Sequence, residues 1–183
     1  MKNKVIFFTG SIVILLLLDG CCACPPVTPR ECIDFEDQTV GTQFHVGESF
    51  TASGTVIDVV AVGTSDNYAE ITPGSQTTAS GNDLRPKGVG VQLNLPASAY
   101  DVTMNFADFG GTTQFIINGD SFSTSGHTRV IEYDGQNIGG VLVDVTAIQQ
   151  GNNWYGDALL QGAISSLTIV GQELWIDDIC YMQ

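Results

Sequence analysis

The feature that most constrains the fold is a pair of matching stretches, one near each end of the chain's main body. Cys32-Ile33-Asp34-Phe35-Glu36-Asp37 opens that body, and Gly171-Gln172-Glu173-Leu174-Trp175-Ile176-Asp177-Asp178-Ile179-Cys180-Tyr181 closes it. Each is a short apolar run carrying carboxylates and one cysteine. A disulfide between Cys32 and Cys180 is the cysteine pairing with structural logic, because it would tie the first strand to the last. A chain closed in this way must bring its two terminal strands side by side.

The sequence between them is punctuated at short intervals. It draws on 21 glycines, and little of it has helical periodicity. Tyr100 to Ala107 alternates cleanly: Tyr100, Val102, Met104 and Phe106 share one face, and Asp101, Thr103 and Asn105 the other, as in a half-buried strand. Thr55 to Val62 is rich in β-branched residues, as a strand prefers. Gln114-Phe115-Ile116-Ile117 runs into Asn118-Gly119, a strong hairpin signal, with Ser121 to Thr124 as its partner. Further strands are expected at Gln43–Val46, Glu48–Thr51, Tyr68–Ile71, Gly88–Leu95, Thr128–Tyr133, Gly140–Val145, Ala158–Leu160, Ala163–Val170 and Leu174–Tyr181. Gly63 to Pro86 otherwise reads as loose. Roughly ten to twelve short strands with turn signals between them predict an all-β fold: an antiparallel β-sandwich of jelly-roll type, with first and last strands paired.

The chain of 183 residues suits one domain behind a leader. Residues 1–20 are expected to be a signal peptide, with Lys2 and Lys4 before the apolar run Val5 to Leu18, which is too short for an ordinary membrane span. Leu18-Asp19-Gly20-Cys21 resembles the lipobox of bacterial lipoproteins, with Asp19 standing where a small or apolar residue is usual. The resemblance implies acylation of Cys21, an address in the cell envelope or outside the cell, and contact with a membrane through the lipid anchor only. Residues 21–31 form a Cys/Pro-rich tether, stiffened by its prolines, in which Cys22 and Cys24 could pair or stay free. Residues 32–183 form the sandwich.

Charge narrows the partners. Six Lys and Arg stand against 20 Asp and Glu, a net of −14. Losing Lys2, Lys4 and Asp19 with the leader takes two from the basic count and one from the acidic, for a net of −15. Such a chain lacks the positive footprint that nucleic acid requires, whereas it can recruit cations.

No catalytic constellation stands out. There is no Gly-x-Ser-x-Gly elbow, and Asp108-Phe109-Gly110 matches the kinase tripeptide by letters alone. His45 and His127 stand isolated, which disfavours both a triad and a zinc site. The expectation is a non-enzyme with no catalytic residues.

The terminal carboxylates are more informative. With Cys32 opposite Cys180, Asp34 falls opposite Asp178 and Glu36 one step along the same face, while strict alternation puts Asp177 with Trp175 and Ile179 on the other. Like charges across a ladder repel, and a cation bridging them removes the penalty. All-oxygen ligands point to calcium; the alternative is a wet acidic face. Asp34, Glu36 and Asp178 are therefore the candidate metal ligands on this face. These terminal stretches, with Val46-Gly47-Glu48-Ser49-Phe50, resemble the terminal strands of galactose-binding-like jelly rolls, a shape common among carbohydrate-binding modules. The resemblance implies a structural calcium held by a glutamate on the first strand and an aspartate on the last, here Glu36 and Asp177 or Asp178.

Sugar binding needs aromatic platforms. Asn153, Trp154 and Tyr155, in the Gly- and Asn-rich run Gly151 to Asp157, are the candidate ligand-binding residues on an expected loop, unless Trp154 folds back onto the core. Trp175 is expected in the core. The function expected is that of an exported, non-catalytic binding module for carbohydrate or a cell-surface polymer. The alternative is a structural or adhesive surface lipoprotein acting through protein–protein contacts.

Overall fold

The structure, a computed structural model, describes residues 29–62, 67–122 and 128–183. The leader, Cys21, Cys22, Cys24 and His127 lie outside the described residues. In chain order the strands are β1 (Arg30–Ile33), β2 (Gln43–His45), β3 (Ser49–Ala52), β4 (Thr55–Val60), β5 (Tyr68–Pro73), β6 (Asn82–Lys87), β7 (Val89–Leu93) and β8 (Tyr100–Gly110). They continue with β9 (Gln114–Ile117), β10 (Asp120–Ser121), β11 (Asn137–Ile138), β12 (Val141–Gln150), β13 (Asn153–Ala163), β14 (Leu167–Gly171) and β15 (Glu173–Met182).

These strands form two antiparallel sheets packed as a sandwich. The larger runs β11-β12-β13-β8-β15-β6-β5-β2, with β1 added on β15; the smaller runs β10-β9-β14-β7-β4-β3. The first and last strands are paired as expected. Cys32 lies opposite Cys180, and the two are joined by a disulfide across a sequence separation of 148. The core is the apolar set of each alternating strand: Val102, Met104 and Phe106 of β8 meet Ile57, Val91, Phe115 and Ile169 of the smaller sheet in one buried cluster. The Asn118-Gly119 hairpin also forms. Asp120 pairs with Ile117, and both turn residues have positive φ, 54° and 84°, as a two-residue type I′ turn demands.

Four local expectations need correction. In place of the strand expected over Thr128–Tyr133, Val130–Tyr133 forms a 3-10 turn. The buried Asp108 pins it, accepting from the Val130 N–H at 2.8 Å and from Arg129 Nη1 at 3.0 Å. The run Gly151 to Asp157 is mostly strand: Gln150 pairs with Asn153, so only Gly151-Asn152 turns, and Trp154 and Tyr155 belong to β13. β6 arises in the stretch read as loose, where Pro86 argues against a strand.

The fourth correction concerns β15. Its alternation breaks after Asp177: the register against β8 shifts between Asp177 and Cys180, and Asp178 takes φ 47°. This bulge lets Leu174, Ile176, Ile179 and Tyr181 all reach the core cluster, while Trp175, Asp177 and Cys180 stay outside it. The expected grouping of Ile179 with Asp177 is therefore wrong.

Candidate functional site

The outer face of the larger sheet carries two parallel rows, built by register alone. Leu84 of β6 pairs with Ile176 of β15, so the next step of the antiparallel ladder sets Asp83 beside Asp177. Asp177 pairs in turn with Asn105 of β8, and Asn105 with Asp157 of β13. One pleat further along, Arg85, Trp175, Ala107 and Tyr155 form the neighbouring row, since Trp175 pairs with Ala107 and Ala107 with Tyr155.

A loop covers the first row. Gly74-Ser75-Gln76-Thr77-Thr78-Ala79-Ser80-Gly81 leaves β5 and returns into β6, closed at its neck by a Gly74 N–H to Gly81 carbonyl bond. The Thr78 and Ala79 N–H groups donate to Asn105 Oδ1 at 2.9 and 3.2 Å, and Asn105 Nδ2 donates to Asp157 Oδ1 at 2.9 Å. Thr77 Oγ1 and the Gln76 N–H donate to Asp83 at 2.7 and 3.3 Å. Glu36 Oε1 accepts from the Asn82 N–H at 2.7 Å. At Gly81, φ is 110° and an added Cβ would collide with that Glu36 oxygen, so glycine lets the carboxylate in.

Asp83 and Asp177 are both 0% exposed. Asp83 is held by the loop, whereas neither oxygen of Asp177 has a hydrogen-bond partner. The adjacent Asp178 N–H offsets part of its burial without meeting the geometry of a bond. Burial, reinforced by the negative charges of Asp178, Asp83 and Glu36, pushes the Asp177 carboxyl up to about 7. Burial likewise raises Asp83, against the hydrogen bonds from Thr77 and Gln76. Such a pair can share a proton, or it can hold a hard cation with help from hydroxyl and carbonyl oxygens of the covering loop. Among the described residues no three His, Cys, Asp or Glu side chains converge closely enough to hold a metal by themselves.

The four expected ligands thus part company. Asp177 stands in the covered row beside Asp83, which sequence reasoning missed because β6 was not foreseen, and Glu36 lies near enough for its charge to act on both. Asp34 turns away to Ser53 Oγ, at 3.0 Å. Asp178 sits exposed at the bulge, lining a cleft of about 490 Å3 beside the disulfide and Asp157.

The second row is aromatic. Phe109 of β8 lies 5.6 Å from Tyr155 and 4.7 Å from Trp175, ring centre to ring centre, and the Arg85 guanidinium lies 4.4 Å over the Trp175 ring. Tyr155 and Phe109 are half-buried, Phe109 standing between the other two rings, and Trp175 is covered. Trp175 is therefore buried as expected, but on the outer face rather than in the core cluster. Of the expected sugar-binding residues, Tyr155 belongs to this strip, with Asn153 Nδ2 3.5 Å from its hydroxyl. Trp154 points the other way and packs against the core.

Compared with protein-family models, with curated proteins and with solved structures, the chain finds no match.

Proposed function

We propose that this chain is an exported, non-catalytic β-sandwich module that binds carbohydrate or another cell-surface polymer, anchored by a lipid on Cys21 and braced by a structural calcium. The observation that carries the reading is the aromatic strip on the outer face of the larger sheet, where the half-buried Tyr155 and Phe109 stand beside the covered Trp175. Rings in a row suit the apolar faces of successive sugar rings, and Asn153 adds an amide for hydroxyls. The test is retention on immobilised polysaccharides. Phe109→Ala with Tyr155→Ala should abolish retention and leave the melting temperature nearly unchanged. Trp154→Ala should instead lower the melting temperature and spare binding, because that ring packs inward. Retention that survives loss of both outer rings would overturn the reading.

Calcium enters through the orphaned oxygens of Asp177. Asp177 and Asp83 would hold it with oxygens of the covering loop, while Glu36 adds negative charge nearby.

The adhesive alternative has one observation in its favour. β11 covers only the start of β12, and the rest of that edge, Thr146–Gln150, carries Ile148 at 59% exposure. An open edge of this kind accepts an added strand. Concentration-dependent association abolished by Ile148→Lys would support it over sugar binding.

A further inference from the structure

Two of the four described basic side chains, Arg30 and Arg85, have no carboxylate partner among the described residues, and Arg30 bonds Thr103 Oγ1 instead. The chain has 20 acidic side chains for its 6 basic ones, so each cation has its choice of carboxylates. Lys87 takes Glu70 at 3.6 Å, and Arg129 takes Asp108 at 3.0 Å. Arg85 takes none among the described residues, although Glu70 stands directly opposite it in the β5–β6 ladder. Its guanidinium lies on Trp175, and its Nε is buried without a hydrogen-bond partner. The group borders an open cleft of about 420 Å3, which Lys87, Asn67, Gln172 and Glu173 also line.

A guanidinium held over an indole can still offer its two outer Nη groups, and these match a carboxylate with two parallel hydrogen bonds. The aromatic strip leads directly to it: Tyr155, Phe109 and Trp175 lie on successive strands, with Arg85 at the end. Resting on the reading of this face as a sugar platform, we infer that the ligand is a polymer of carboxylated sugars, a polyuronate, whose rings lie along the strip and whose carboxylate is gripped by Arg85. The overall negative charge of the molecule repels such a polymer everywhere else, so docking is confined to this cleft. Glu173, on the cleft wall, opposes the ligand's charge and sets how tightly it is held.

The test uses the exported chain and short oligogalacturonates, followed by isothermal titration, with alginate and hyaluronate oligomers as further uronates. The methyl ester of the oligogalacturonate and a neutral galactan serve as uncharged counterparts. The acid should bind at least ~10-fold more tightly than its methyl ester, as expected for one charge-assisted bidentate contact. Arg85→Gln should remove that preference. Arg85→Lys keeps the charge and loses the fork, and should retain only part of it. Glu173→Gln should tighten binding of the acid alone. Equal binding of acid and ester, lost with the outer aromatic rings, would overturn the polyuronate inference and leave the sugar platform standing. Arg85→Gln, folded by its melting curve and binding the acid like the parent, would also overturn it. Failure of every sugar polymer to bind would remove both readings.

Discussion

Asp177 is the residue whose chemistry is most exposed to test. Its carboxyl titrates near 7 in the folded state, against an unfolded value near 4. Between those two values the folded state holds the extra proton. Without calcium, stability is therefore greatest below about pH 4 as far as this group is concerned, falls as pH rises to about 7, and is level above it. The full swing is on the order of 4 kcal/mol at most. Asp177→Asn keeps the shape and cannot ionise, so in chelator it should abolish that slope and raise stability at pH 8. Urea midpoints across the pH range measure this, and parallel curves for parent and variant would show that Asp177 ionises freely.

At the scale of elements, the loop from Gly74 to Gly81 and the bulge in β15 make the site together. The bulge lets Ile179 and Tyr181 return to the core after Asp177 has faced outward, and the loop then seals Asp177 and Asp83 from water. A calcium ion bound there would brace the loop, β6 and β15 at once. At about 100 times its dissociation constant, it adds roughly 2.7 kcal/mol, or about 5–10 °C in melting temperature for a domain of this size. Asp83→Asn should remove most of the difference between calcium and chelator and Glu36→Gln part of it, while Asp34→Asn, bonded to Ser53 instead, should leave it. The calcium effect should grow between pH 5 and 8, as Asp177 loses its proton. Melting curves that coincide with and without calcium would assign the pair to a shared proton.

For the whole molecule, the disulfide is the covalent tie between the two ends of the sandwich. It fixes β1 on β15 at the middle of the larger sheet, so breaking it frees the first strand at the point where the chain closes on itself. Loop-closure entropy for a separation of 148 residues sets its contribution at about 5 kcal/mol. Cys32→Ser with Cys180→Ser should lower the denaturation midpoint accordingly, and reductant should do the same to the parent. A midpoint unmoved by either would mean that the β1–β15 ladder holds without the crosslink.

The sandwich, the pairing of its ends and the Asn118-Gly119 hairpin were legible in the sequence because each rests on a local signal: alternation, a turn dipeptide that tolerates positive φ, two cysteines on matching strands. The site was legible only in part. Glu36 and Asp177 were singled out, but Asp83 lay in a stretch whose proline and lack of alternation hid a strand, and no local signal announces the partner of a residue across a sheet. Strict alternation also failed at Asp177-Asp178, since a bulge is stabilised by what its later residues reach, here the core contacts of Ile179 and Tyr181. Trp154 and Tyr155 looked equivalent in sequence; adjacent residues in a strand face opposite ways, and only the register of β13 decided which ring meets solvent. Local periodicity sets the strands, and the packing of distant strands sets which side chains stand together.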